Sequence, residues 1–436
     1  MTMRRFSRRM LLQGGALVAA GSFLPAFARR ALAAQEAGAA VGAAAGAGPG
    51  RRKTLVFLFL RGALDGLYAV TPYGEPRLSV LRPALALPPP NGATKTTPPS
   101  LLSIDVPGFG LHPALEPLLP LWRQGSLALV HAVGSPDSSR SHFDAQDFLE
   151  LGTPGVKDTP DGWLARALGE TQGQGRSPLD AVAVAARLPR SLQGGPEALA
   201  FANLDQLRLR PMAGAPGGPK GRTQSQNSFE ALYQHAPEEA VATSGKEAFA
   251  ALDLLEKKLG PSAPPPAAEY PKNPIANSLR QLAQLIKADV GLRVGVADAG
   301  GWDTHSGQPG ALNNNLGQLA LSLAAFHQDL GARAEDVVLV AATEFGRTVR
   351  QNGAYGTDHG HGSVAFVLGG SVSGGKLHGR WPGLADDQLF EGRDLAVTTD
   401  LRSVLAAAAA SQLGIRDVGR LFPGFSGGPL AGLMRA

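Results

Sequence analysis

The sequence predicts an α/β protein: a doubly wound, mostly parallel sheet with helices on both faces and an irregular cap or insertion. Three observations predict it. At least five short runs are continuously apolar, which is the pattern of strands buried on both faces. Helical periodicities separate several of these runs. Asp, His and Glu gather just after the apolar runs, at the sheet edge where such folds hold ligands.

Composition sets the limits. The chain has 436 residues, with 44% hydrophobic, 56 Gly and 34 Pro. That is enough for a sizeable core joined by long irregular loops. There is no cysteine, so disulfides, thiolate metal sites and cysteine nucleophiles are excluded. The formal charge of +5 comes from the N-terminus, where residues 1–33 carry six Arg and no acid. The 41 basic residues less those six leave 35 against 36 acidic ones. A nearly neutral body gives no electrostatic case for nucleic acid.

Residues 1–34 read as a twin-arginine export signal: Ser7-Arg8-Arg9-Met10-Leu11-Leu12, a mildly apolar run, and a small-residue cleavage site at Ala31-Leu32-Ala33. The expectation is a periplasmic or secreted protein that meets the Tat translocase during export. No stable transmembrane segment should remain after cleavage, because the apolar run is too weak to span a bilayer. Residues 35–50 are an Ala/Gly linker. Residues 51–430 should form one domain, with about 194–275 as the cap or insertion.

Within that domain, residues 55–60 (LVFLFL) form the first strand. Asp65 follows it, either as a ligand at the sheet edge or as a turn cap beside Gly66. Residues 71–110 are a long Pro/Gly-rich excursion. His112-Pro113 opens a helix, with His112 read as a cap, and residues 126–133 are the next strand. Ser141, with Asp144 three residues on, marks a helix N-terminus. Its hydroxyl is an N-cap and also a candidate nucleophile, since a helix N-terminus favours an incoming anion. Arg140 and His142 are either oxyanion holders or surface residues.

Residues 180–185 are a further strand, and residues 279–286 have helical spacing. A strand at 292–298 runs into Gly300-Gly301-Trp302-Asp303-Thr304-His305. Asp303 and His305 lie two apart on a loop and can turn to one point. An amphipathic helix follows, with Leu312, Leu316, Leu319, Leu323, Phe326 and Leu330 on one face. The strand at 337–342 delivers Thr343, Glu344 and Arg347, a Gly-rich loop carries Asp358, His359 and His361, and a strand at 364–368 closes the unit. Asp400 caps a last Ala-rich helix that stops at Gly414.

Four strand ends thus offer Asp65, Asp303 with His305, Glu344, and Asp358 with His359. Brought together, four carboxylates and two imidazoles need cations to stay ionised. Two divalent ions would neutralise them, and the donor set suits Zn, Mn or Fe, with Mg or Ca where oxygens dominate. No G-x-x-x-x-G-K-[ST] run is present and no G-x-G-x-x-G opens a helix after the first strand, so nucleotide-binding motifs are absent.

The runs RGALDGL (61–67), SRSHFDAQD (139–147), GGWDTH (300–305), TEFGRT (343–348) and GTDHGHG (356–362) together resemble the domain of unknown function 1501 family. That is a family of twin-arginine-exported bacterial proteins grouped with the alkaline-phosphatase-like superfamily of phosphatases, sulfatases and phosphoglycerate mutases. The resemblance implies the superfamily's sheet and two-metal site. Asp65 would match the first-strand Asp, and Asp303 with His305 the Asp/His pair of one metal, here more closely spaced. Glu344 stands where those enzymes have a strand-end Asp. Asp358-His359-Gly360 resembles the Asp-His-Gly signature, but falls nearer the place of the last His ligand. Nothing resembles the sulfatase Cys/Ser-x-Pro-x-Arg signature.

The expected function is a metal-dependent hydrolase of phosphate or sulfate esters acting on a small anionic ester or a polymer. Asp65, Asp303, His305, Glu344, Asp358 and His359 are the expected metal ligands. Ser141 or a metal-bound hydroxide would attack, and Arg347 would clamp the anion. The rival is a non-catalytic exported envelope or binding protein that keeps the fold.

Overall fold

The computed structural model describes residues 51–90, 99–171, 177–196, 198–204, 239–259 and 265–435. The expected export signal and linker lie outside the described residues, as do residues 205–238 and 260–264 of the expected insertion. The chain divides into two units, Met1–Gly46 with Gln206–Glu256, and Ala47–Asp205 with Lys257–Ala436. The described part of the first lies in one helix, Glu239–Lys258. No helix among the described residues is long and apolar enough to cross a membrane.

The second unit is built on a mixed sheet. Its strands are β1 (Thr54–Leu60), β2 (Leu127–Gly134), β3 (Ala181–Val184), β4 (Leu199–Phe201), β5 (Val294–Ala299), β6 (Val337–Ala342) and β7 (Ser363–Gly369), with two-residue strands β8 (Leu377–His378) and β9 (Thr399–Asp400). The order is β8-β2-β7-β6-β1-β5-β3-β4, and β9 also pairs with β2. β1 lies in the middle, parallel to β5 and β6, and every one of its residues is buried. That is why it reads as an unbroken apolar run rather than an alternating one.

Helices cover both faces. Leu55, Phe57 and Phe59 of β1 share a core with Trp163 and Leu164 of α1 (Trp163–Glu170) and Val404 and Leu405 of α4 (Leu401–Leu413). The Phe57 and Trp163 rings meet edge to face, 5.8 Å between centroids. On the other face Gly295 of β5 is paired with Val56. A Cβ on it would stand 3.1 Å from Leu282 of α2 (Pro274–Lys287), so the missing side chain lets that helix close onto the sheet. The amphipathic helix is α3 (Gln308–Leu330).

One strand departs from the parallel pattern. β7 runs antiparallel to both β6 and β2. β6 ends and β7 begins at the same sheet edge, so the loop between them, 343–362, is held there at both ends. A parallel β7 would have needed a crossover to the far edge. The antiparallel return keeps Glu344, Arg347, Asp358 and His359 beside the carboxyl ends of β1, β2 and β5.

Candidate metal centre

Each side chain of the site is placed by a strand end. After β2, Ser141 caps the helix His142–Leu151, its Oγ accepting the Asp144 N–H at 3.5 Å. His142 is the first residue of that helix and turns toward the β6 end. After β1 the chain takes positive φ at Gly62 (+117°) and Ala63 (+64°). A Cβ on Gly62 would stand 2.8 Å from the Asp303 nitrogen, so only glycine lets the β1 and β5 loops touch. Gly356 does the same for the long loop, since a Cβ there would lie 2.3 Å from the His305 carbonyl.

These loops bring His142, Asp303 and His359 together. Each offers one ligand atom, and the three atoms all lie within 4.8 Å of one another. His305 adjoins them: its Nε2 is 3.1 Å from Asp303 Oδ1 and 3.0 Å from His359 Nε2. Among the described residues this is the one cluster of three or more such groups able to share an ion.

The imidazoles are oriented from behind. His142 Nδ1 lies 2.7 Å from Glu344 Oε1, His305 Nδ1 2.8 Å from Asp358 Oδ1, and His359 Nδ1 2.7 Å from the Arg140 carbonyl. A carbonyl or ionised carboxylate only accepts, so each Nδ1 donates and each Nε2 faces the cluster. His142 Nε2 is buried and has no hydrogen-bond partner, with Asp303 Oδ2 3.5 Å away. A buried, unpaired imidazole nitrogen aimed at a carboxylate fits a cation.

Electrostatics follow the geometry. The hydrogen bond to Glu344 raises the His142 pKa against the opposing effect of burial, with Asp303 adding to it. Burial works to raise Asp303, but the Arg347 guanidinium prevails and holds it below the usual carboxylate range. Asp358 is lowered chiefly by its bond to His305. Burial lowers His359.

Five expected site residues are placed in other roles, and one of them, Asp358, stands behind His305 as its orienting group. Asp65 does not join the cluster. Its Oδ1 accepts the Leu67 and Tyr68 N–H groups as an N-cap, and its Oδ2 accepts Arg82 Nη1 and Gln308 Nε2, both at 2.7 Å. With both oxygens used and 1% of the side chain exposed, it is a buried strut. Glu344 is also fully buried. Its Oε1 accepts Gly62 N–H, Gln146 Nε2 and His142 Nδ1, and its Oε2 accepts the Thr343 hydroxyl. It stands behind His142 as that residue's orienting group. Burial would raise its pKa, but His142 and Gln146 outweigh that and lower it.

Arg347 cannot clamp an anion from solvent, since none of its side chain is exposed. Its guanidinium donates to the carbonyls of Ala63, Thr357, Gly62 and Trp302 and pairs with Asp303. It braces three loops beneath the cluster. Ser141 is engaged as a cap, and the residue after it, His142, is the one that reaches the centre.

The structure therefore brings Asp303, His305 and His359 together, sets Asp358 behind His305, and adds His142, which the sequence reads as an oxyanion holder or a surface residue. The available signal was a histidine immediately after a helix cap, following a strand of the same sheet.

Fold and site together define an α/β protein with a histidine-rich candidate metal centre at the carboxyl ends of its strands. The chain belongs to the family described as protein of unknown function (DUF1501), which it matches over residues 126–422. That is the family its motifs resemble. No curated protein matches it in sequence. Among solved structures, a 2-O GAG sulfatase is similar at 10% identity, over 84% of this chain and 71% of that one, with a TM-score of 0.31. A candidate sulfatase from Bacteroides thetaiotaomicron is similar at 9% identity, over 85% and 75%, with a TM-score of 0.30. Likenesses this faint leave the reading of the site to its own geometry.

Proposed function

We propose that the protein is a metal-dependent hydrolase of phosphate or sulfate esters, built on an alkaline-phosphatase-like sheet and exported by the twin-arginine route. The observation that carries the reading is the convergence of His142, Asp303 and His359 within one ion's reach. A divalent ion bound there would supply the positive charge that polarises an anionic ester and stabilises its leaving oxygen.

The chain's own residues do the rest. Glu344 and the Arg140 carbonyl hold two imidazoles in the tautomer that points Nε2 forward. Arg347 pairs with Asp303 from beneath, fixes its position and holds it ionised toward the ion. Ser141, at the head of the helix that carries His142, offers the hydroxyl for attack. Asp303 is 44% exposed and His305 45% exposed, so the cluster is open to an ester arriving from solvent.

A second reading is an exported binding protein that keeps the fold and the ion without turnover. It is favoured by the engagement of Ser141 as a cap and of Arg347 with backbone carbonyls. The two are separated by assaying aryl phosphates and aryl sulfates with the purified chain, with and without chelator, beside His142→Ala. Turnover lost in both arms supports the hydrolase. Turnover that survives both, or no turnover across the ester panel by a metal-loaded protein, defeats it.

A further inference from the structure

We infer that the centre takes one divalent transition-metal ion rather than two, held by His142 Nε2, Asp303, His305 Nε2 and His359 Nε2, with Glu344, Asp358 and the Arg140 carbonyl fixing the three imidazoles from outside. The inference rests on the metal-dependent reading above and narrows it to a stoichiometry, a ligand set and a class of ion.

With all three Nδ1 atoms donating outward, neutral His305 and His359 would present lone pairs to each other across 3.0 Å, beside Asp303 Oδ1 at 3.1 and 3.2 Å. The unpaired His142 Nε2 completes the ring of acceptors. Such a cluster of acceptors is stable around a positive charge.

Three carboxylates serve the centre, Asp303, Glu344 and Asp358, and Arg347 is bound to the first. Counting these four groups leaves a formal deficit of two positive charges. One divalent ion fills it, whereas two would leave an excess of two. The neighbouring Arg140 and Arg393 do not alter the count, because Asp394 and Glu391 pair with them.

Three imidazoles and one carboxylate make a donor set that zinc and other imidazole-favouring ions accept, and expansion to five ligands would leave room for an ester oxygen. Magnesium and calcium prefer cages of oxygens. Asp65, the first-strand acid among the expected ligands, has both oxygens committed to the Arg82 pair, the helix cap and Gln308.

The test is metal stoichiometry, which needs no turnover. The full chain is stripped with chelator and titrated with Zn2+ alone by calorimetry. Co2+ is used separately, its visible absorption reporting four-coordinate imidazole ligation. One equivalent is expected in the parent and in Asp65→Asn. His142→Ala and His305→Ala are each expected to lose affinity by more than about 100-fold, and Glu344→Gln by about 10–100-fold through its hold on His142. Circular dichroism confirms that each variant is folded. Two equivalents in the parent, unchanged affinity in folded His142→Ala or His305→Ala, or no binding at all would each overturn the inference. A single site without ester turnover would leave it standing and remove only the hydrolase reading.

Discussion

His305 Nε2 and His359 Nε2 face each other at 3.0 Å, each with its Nδ1 already bonded to an acceptor on its far side. Two loops separated by more than fifty residues are pressed into this contact, and the long loop is further pinned where Gly356 meets His305. An ion bound here links the β5 loop to the β6–β7 loop, so it should stabilise the fold. An ion at about 100 times its dissociation constant adds about 2.7 kcal/mol if it binds only the native state. Thermal unfolding followed with and without added Zn2+ should show a rise in midpoint that His359→Ala abolishes. Identical midpoints in the two conditions would count against any ion at the contact.

Glu344 acts through His142, and the two roles of its carboxylate can be separated. Glu344→Gln, with its amide oxygen in the place of Oε1, still accepts from Gly62 N–H, Gln146 Nε2 and His142 Nδ1 and turns its NH2 to the Thr343 hydroxyl, but it loses the negative charge that makes His142 a stronger ligand. The expected result is weaker metal binding with little loss of stability, because the packing volume is unchanged. Competition against a chelator measures the first and denaturant unfolding the second. Equal metal affinity in variant and parent would return Glu344 to a purely structural role.

Asp65 should behave in the opposite way. It pairs with Arg82 where each side chain is 1% exposed, and removing one member of a buried pair leaves the other charge stranded. Asp65→Asn is expected to destabilise by roughly 3–5 kcal/mol while the metal equivalents stay the same. A measured loss of metal with stability intact would reinstate it as a ligand.

How far the sequence reveals this site depends on the range of the forces involved. β1, β6 and the capped helices are legible because continuous apolar runs, Asp400 and Gly414 act locally. Asp303 and His305 are legible because two donors two apart on one loop can turn to one point, and here they lie 3.1 Å apart. Asp65 caps the turn beside Gly66, one of the two roles its position allows, but its pair with Arg82 has no signature, because Arg82 lies in a Pro-rich stretch with no pattern linking the two. The pairing of Glu344 with His142 is silent in the sequence: a bond of 2.7 Å spanning 202 residues has no local signature, and only the sheet order brings it about. The antiparallel course of β7 is equally silent, since a strand buried on both faces looks the same in either direction.

Two buried histidines predict the acid limit of the fold. His131 Nδ1 accepts the Ala132 N–H while its Nε2 donates to the Val70 carbonyl, and His112 Nδ1 accepts the Ala114 N–H. Burial pushes both pKa values down to about 4, against roughly 6.5 when unfolded. A depressed folded value means that the stability is fully present above pH 6.5 and is lost as pH falls through 4. Each contributes roughly 3 kcal/mol across that window. Urea unfolding between pH 7 and 4 should show the decline. His112→Asn keeps a capping acceptor and should make the decline shallower, and an unchanged slope would exclude His112 as a contributor.

Ser141 holds the last ambiguity, because capping and nucleophilic attack use the same oxygen. Asparagine caps a helix about as well as serine, whereas alanine costs about 1 kcal/mol. Ser141→Asn therefore keeps the cap and deletes the hydroxyl, while Ser141→Ala deletes both. If Ser141 attacks the ester, both variants lose activity by several orders of magnitude and only alanine lowers stability. If it merely caps, asparagine keeps full activity and alanine loses only what the displaced His142 explains, which would show as weaker metal binding. Measuring turnover, metal affinity and unfolding on the same two variants assigns the hydroxyl, since no single role moves all three in the same pattern.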